Sequence, residues 1–255
     1  MPIRILVSND DGVSSPGLLK LRETLMELGE VYTVAPDRDQ SAVSHSLSLN
    51  RPLRMEALGD NFYSVDGTPT DCINLAVNGI FRHMKFNIVV SGINQGENLG
   101  EDITYSGTVS AAMEGTLLGI PSIAISLASK RDFQYETACH YALRLVKKTL
   151  RLSLPDGVLL NVNIPNLPLD KVKGIKVTRQ GKRVYGAEIV EKVDPRGRTY
   201  YWIGGSELGY VRIPDSDMIA VEEGFVSVTP IKLDLTYYNY IDKLKADLER
   251  LKEDV

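Results

Sequence analysis

A run of apolar residues at positions 3–7 opens the chain and stops at Ser8-Asn9-Asp10-Asp11-Gly12. A run this short, bounded by turn residues, reads as a buried strand. Asn9 and Gly12 mark the turn that ends it. The next residues narrow the choice of folds. Ser14-Ser15-Pro16 supplies a helix cap and a first-turn proline. Leu18, Leu21, Leu25 and Leu28 repeat at helical spacing, and Gly29 closes the helix. A second strand follows at 31–34 and ends at Ala35-Pro36-Asp37. Strand, helix and strand in so short a span make a βαβ unit, and therefore a parallel sheet.

The same grammar continues. Gly67-Thr68-Pro69-Thr70-Asp71 introduces a helix running to about Met84, and 88–90 is a third strand. Tyr105-Ser106-Gly107-Thr108-Val109-Ser110 opens a helix over 111–118. A fourth strand at 120–126, a long amphipathic helix at 133–152 and a fifth strand at 158–164 complete the pattern. After about residue 165 the pattern changes. Segments around 174–179, 184–191, 199–203 and 225–229 read as short strands in antiparallel hairpins. Residues 237–252 read as a charged helix whose apolar side, Tyr240, Leu244, Leu248 and Leu251, needs a partner surface. The expectation is one domain over 1–255. It comprises an α/β core at 1–165, a hairpin arm at 166–230 and a terminal helix at 231–255 used in oligomerisation.

Composition removes several function classes. A net charge of −4 argues against a general nucleic-acid binder. His45, His83 and His140 are too scattered for a zinc cluster. No apolar stretch approaches the ~18 residues that span a bilayer, and no signal segment is visible. Cys72 and Cys139 each sit in a helical pattern and read as reduced thiols, so a cytoplasmic location is expected.

The chemistry collects at strand ends. Open α/β sheets bind ligands outside the carboxyl ends of their strands. The first strand leads to Asp10 and Asp11, the second to Ser41, and the third to Asn94 and Asn98. Two adjacent carboxylates repel unless a cation intervenes. With a hydroxyl and an amide oxygen they form an all-oxygen set suited to Mg²⁺ or Mn²⁺. Ser106-Gly107-Thr108 lies at a helix N-terminus, where free N–H groups favour a phosphate. A divalent cation beside a phosphate cradle points to phosphoryl hydrolysis. A phospho-aspartate mechanism, a signalling receiver domain and a non-catalytic nucleotide-binding module are the alternatives. The adjacent Asp pair departs from the Asp-x-Asp spacing of the first. Ser91 and Asn94 stand where the second needs a phospho-accepting Asp.

The strings Ile5-Leu6-Val7-Ser8-Asn9-Asp10-Asp11-Gly12, Ala35-Pro36-Asp37-Arg38-Asp39-Gln40-Ser41, Gly67-Thr68-Pro69-Thr70-Asp71-Cys72, Ser91-Gly92-Ile93-Asn94 and Tyr105-Ser106-Gly107-Thr108-Val109 occur in this order. With Thr178-Arg179-Gln180 and Val226-Ser227-Val228-Thr229-Pro230, they resemble the SurE survival-protein family. The resemblance implies a Rossmann-like three-layer αβα core with a mainly parallel sheet. It also implies a C-terminal hairpin arm and terminal segment exchanged between subunits of a homodimer or homotetramer. It implies one divalent cation held by Asp10, Asp11, Ser41 and Asn94, with Asn98, Ser106, Gly107 and Thr108 in the phosphate region. The implied reaction is hydrolysis of nucleoside 5′-monophosphates by a metal-activated water, with Asp10 and Asp11 catalytic. Substrates extend in some members to 3′-monophosphates and short polyphosphate; no stable nucleic-acid partner and no membrane are expected. Two departures bear on substrate preference. Ser44 precedes His45 where the family often has Gly, and Glu97 adds an acid near the metal where the family often has a small residue or Pro.

Overall fold

The structure is a computed structural model that describes residues 2–186, 189–203 and 209–250. The first half runs β1 (Arg4–Ser8), α1 (Pro16–Leu25), β2 (Glu30–Pro36), β3 (Met55–Gly59), β4 (Phe62–Val65), α2 (Pro69–Asn74), β5 (Ile88–Gln95), α3 (Gly107–Leu117) and β6 (Ser122–Ala128). It continues through α4 (Tyr135–Thr149), β7 (Val158–Pro165), β8 (Ile175–Val177), β9 (Lys182–Val184), β10 (Ile189–Val193), β11 (Thr199–Ile203) and β12 (Gly209–Val211). It ends with α5 (Asp217–Glu222), β13 (Val226–Lys232) and α6 (Tyr238–Arg250).

Nine strands form one sheet in the order β3-β4-β2-β1-β5-β6-β7-β13-β8. The six strands from β4 to β7 are mutually parallel, while β3 and β13 pair antiparallel with β4 and β7. Parallel strands are covered on both faces, so they are apolar almost throughout. Ile5 and Val7 point to a core closed by Leu18, Leu21 and Leu25 of α1 and by Tyr141, Ala142 and Val146 of α4. Leu6 points the other way, to Cys72 and Ile73 of α2 and Ala111 of α3. Alternate residues of one strand thus build two cores, giving three αβα layers.

The structure departs from the sequence expectations in particular places. Strands β3 and β4, unread in the sequence, extend the sheet beyond β2. The helix introduced by Thr68 keeps α-geometry only to Asn74, then widens into a π-turn over Leu75–Ile80. Ser15 stands at the cap position of α1 but makes no capping bond; its hydroxyl accepts from Gln95 Nε2 at 3.4 Å. The segments around 174–179 and 225–229 do not form hairpins with each other. As β8 and β13 they run parallel at the end of the main sheet, with Val226, Ser227, Val228 and Thr229 buried. Short alternating strands look alike whether their partner is a neighbour in sequence or a distant core strand.

The arm consists of two antiparallel ribbons, β9 with β12 and β10 with β11. Residues 187–188 of the strand expected at 184–191 lie outside the described residues. Trp202 and Ile203 are exposed on the β10–β11 ribbon. Helix α6 buries none of its residues; Tyr240, Leu244 and Leu248 are exposed, and Leu251 lies outside the described residues.

Candidate functional site

Strand β1 lies between β2 and β5. The chain builds outward from β1 through β2 and β4, then crosses back to start β5 on the other side of β1. This reversal opens a crevice at the carboxyl ends of the strands, where ligands bind in doubly wound sheets. Asp10 and Asp11 follow β1, the Ser41 loop follows β2, and Asn94 lies near the end of β5. The β5–β6 register shifts between Ser91 and Asn94. At Gly92, φ is +134° and a Cβ would lie 2.2 Å from the Ile125 carbonyl oxygen, so this bulge requires glycine.

Asp10 is 4% exposed. The Thr108 hydroxyl and backbone N–H both donate to its carboxylate. Its carbonyl oxygen accepts from Gln40 N at 2.8 Å. A Cβ on Gly107 would fall 2.7 Å from Asp10 Cβ, so a glycine lets the N-terminus of α3 abut this residue. Burial pushes the Asp10 carboxyl above the usual range, against the pull of Thr108. Asp11 Oδ2 accepts from Gln95 N at 3.1 Å. Burial first, and then the Asp10 charge, push Asp11 up to about 6. Among the described residues no Lys, Arg or His forms an ion pair with either carboxylate, and the charge of Asp39 raises both.

The other expected ligands differ in how they are held. Asn94 Nδ2 donates to the Gly96 carbonyl at 2.9 Å, and among the described residues no donor holds its Oδ1. Ser41 is exposed, and its N and Oγ donate to Asp39 Oδ1 at 2.7 and 2.5 Å. Asp39 is therefore a third carboxylate at this edge, absent from the sequence reading. Ser106 caps α3 by accepting from Val109 N at 3.1 Å. The hydroxyls of Ser106 and Thr108 are thus both committed within the protein. Of the first-turn N–H groups, that of Thr108 goes to Asp10 and that of Val109 to Ser106 Oγ, which leaves those of Ser106 and Gly107 for an anion. Asn98 is buried: its N donates to Asn163 Oδ1 and its Nδ2 to Ser126 Oγ, each at 2.8 Å. Among the described residues no three His, Cys, Asp or Glu side chains form a metal cluster. With Asp39 bonded to Ser41, the donors left at this edge are the Asp10 and Asp11 carboxylates supplemented by neutral oxygens. An uncompensated carboxylate pair beside a free amide oxygen fits a hard divalent cation.

The family model described as Survival protein SurE matches residues 5–187. This chain belongs to the SurE family. It is similar to a Geotalea uraniireducens protein named 5'-nucleotidase SurE, at 53% identity over 244 residues, covering 95% of this chain and 98% of that one. It is also similar to the Aquifex aeolicus protein of the same name, at 50% identity over 246 residues, covering 96% and 98%. The crystal structure of the SurE protein from Aquifex aeolicus aligns with a TM-score of 0.85 at 47% identity, covering 95% of this chain and 98% of that chain.

Several residues that support the site in this SurE fold escaped the sequence reading. Asn161 and Asn163 of β7 both donate to the Asn98 carbonyl at 2.9 Å. Two amides at alternate positions of an otherwise apolar strand were the available signal, since buried amides require partners. Glu97 does not stand free: Arg183 of β9 lies 3.8 Å from its carboxylate and also pairs with Asp102. Asp217 accepts from Gly100 N at 2.9 Å and Gly181 N at 2.8 Å, joining the loop after β5 to the base of the arm. His45 Nε2 pairs with Glu114 Oε2 at 2.9 Å.

Proposed function

We propose that this chain is a metal-dependent phosphatase that hydrolyses nucleoside 5′-monophosphates to nucleoside and inorganic phosphate. The observation that carries this reading is the uncompensated Asp10–Asp11 pair at the switch point, against the first turn of α3. The names of the relatives supply the nucleotide; the site supplies the phosphate chemistry. Asp10, Asp11, Asn94 and Ser41 would hold one Mg²⁺ or Mn²⁺. When bound, such a cation polarises a phosphate and lowers the pKa of water. Thr108 keeps Asp10 oriented through its hydroxyl and N–H. Asp11, whose Oδ2 is held by Gln95 N, is the carboxylate that takes the proton from the attacking water. As water bonds to phosphorus, the ester P–O bond breaks, and the nucleoside oxygen leaves as its hydroxyl with the proton that Asp11 received, so Asp11 returns to its charged form. The N–H groups of Ser106 and Gly107 at the start of α3 would orient the phosphate oxygens, with Asn98 assigned to the same phosphate region.

The reading includes a single domain acting in the cytoplasm, with Cys72 and Cys139 as free thiols. It also includes a homodimer or homotetramer with exchanged C-terminal elements. The exposed apolar residues of β10–β11 and the unburied α6 support the assembly, because an isolated ribbon and a lone short helix are marginal in water. Deleting residues 237–255 is expected to reduce the particle mass in light scattering; an unchanged mass rejects the exchange.

The test of function is phosphate release from a panel of nucleoside monophosphates in EDTA, then with Mg²⁺ or Mn²⁺. Metal-dependent release is expected, and the panel, with 3′-monophosphates and short polyphosphate added, ranks the substrates. No release with either metal would overturn the reading in favour of a binding module.

A further inference from the structure

Glu114 is a carboxylate buried within α3, 5% exposed, on the side that packs against α2. A buried charge persists only with partners for its oxygens. Oε1 accepts from Asn74 Nδ2 of α2 at 2.7 Å, and Oε2 pairs with His45 Nε2 at 2.9 Å. The bond from His45 is the chief reason the Glu114 carboxyl stays below the usual range despite burial. One partner therefore belongs to the scaffold, and the other comes from the loop that carries Ser41, 69 positions away.

That loop is tied by its backbone at both ends: Gln40 N donates to the Asp10 carbonyl at 2.8 Å, Thr68 Oγ1 to the Ser46 carbonyl at 2.7 Å, and Ser48 N to Asp71 Oδ1 at 2.8 Å. Among the described residues, the side-chain bonds of its middle are Ser41 to Asp39, Ser46 Oγ to the Val43 carbonyl, and His45 to Glu114. The first two stay within the loop; of these three side chains, His45 is the one that reaches the core. Around it the backbone takes left-handed conformations at Ala42 (φ 59°) and Ser44 (φ 55°), which residues other than glycine rarely adopt. Such conformations persist only where surrounding contacts over-determine them. Ser44 N donates to the Tyr105 carbonyl at 3.1 Å, next to the cap of α3. The loop is thus registered against the same helix whose first turn grips Asp10.

We propose that His45 is a positioning residue: through Glu114 its imidazole clamps the Ser41 loop onto α3, setting the loop oxygens against the Asp10–Asp11 pair. The catalytic consequence rests on the proposed phosphatase reading; the clamp does not. Three variants separate this role from fold support. His45→Ala removes the clamp and leaves Glu114 short of a partner. His45→Gln keeps a side-chain N–H for Glu114. His45→Ala combined with Glu114→Gln removes the stranded charge as well as the clamp.

Each protein is studied by Mn²⁺ calorimetry without substrate, amide exchange over residues 37–48, thermal melting, and kcat and KM for a nucleoside monophosphate. His45→Ala is expected to weaken Mn²⁺ binding about threefold and lower kcat/KM by about three- to tenfold, no more than loss of the loop oxygen it positions. Exchange should quicken in the loop. His45→Gln should recover most of both losses. The double variant should recover the melting temperature but neither the Mn²⁺ affinity nor kcat/KM. Native Mn²⁺ affinity, kinetics and loop exchange in folded His45→Ala would overturn the clamp. So would full recovery in the double variant, which would reduce the pair to fold support. If the native chain releases no phosphate, the phosphatase reading falls alone. The clamp then stands or falls on amide exchange in the loop, with Mn²⁺ calorimetry added where the native chain binds the ion.

Discussion

The two sides of the candidate site are built differently. On the strand side, Asp10 is nearly sealed from solvent and takes its bonds from Thr108 of α3 and Gln40 N, while Gly107 lets the helix come close. On the loop side, Ser41 is exposed and bonds to its near neighbour Asp39, with His45 anchored on Glu114 and the Ser46 carbonyl on Thr68. The strand side inherits its geometry from the sheet and needs no ligand to hold it. The loop side has a few specific bonds, so its geometry is the more easily lost. Preorganised carboxylates and a less tightly held hydroxyl are the two halves of the proposed cation site.

The sharpest way to break this contrast is Asp10→Asn. Removing one charge from a repelling pair should leave the fold intact while kcat falls by two to three orders of magnitude, roughly the loss seen when a key electrostatic group is removed. Circular dichroism with steady-state kinetics checks both halves, and a fully active variant would sink the role given to Asp10. Gly107→Ala attacks the same side through shape. A methyl 2.7 Å from Asp10 Cβ must move the helix or the carboxylate. The expected cost is about 1–3 kcal/mol in denaturant unfolding, as for other overpacked sites, together with reduced kcat.

The carboxylate pair also predicts a pH signature in chelator. Asp11 titrates near 3.8 unfolded and at about 6 folded, so between these values the native state holds a proton that the unfolded state has lost. Stability of the metal-free protein should therefore fall as pH rises from about 4 to about 6. Asp11→Asn should lessen that fall, leaving the part due to Asp10, whose carboxyl burial also raises. It should match the native chain near pH 4 and exceed it near pH 7 by about 1–2 kcal/mol, a figure reduced for the solvent that still reaches the group. Melting curves at both pH values decide it, and a variant equally stable or weaker at the higher pH would contradict the assignment. The smallest effect is expected on the loop side. Ser41→Ala should raise the Mn²⁺ concentration for half-maximal activity by about three- to tenfold, the loss of one neutral ligand, with little change in melting. A loss as large as that of Asp10→Asn would erase the distinction between the two sides.

Much of the strand side was legible in advance. Asp10 and Asp11 end the first apolar run, and Pro69, Ser106 and Asp71 stand where helix starts require them. Thr68 and Asp71 form the reciprocal cap that Gly67-Thr68-Pro69-Thr70-Asp71 suggests. The loop side was less legible, because its residues carry no periodicity. Asp39 looks like any turn acid until Ser41 is seen bonded to it. Glu97 reads as a spare charge until Arg183 arrives from the arm. Strand β13 looks like a hairpin strand until it is found beside β7.

What the amino-acid sequence determined by itself was the order of strands and helices and the placement of acids and amides at strand ends, since apolar periodicity, caps and turn residues act over a few positions. The tertiary structure alone decided which atom each of those groups meets. Thr108 and Asp10 stand 98 positions apart, His45 and Glu114 69, and Asn98 and Asn163 65. Partners at such separations are chosen by how the sheet and its helices pack, and no local preference encodes them.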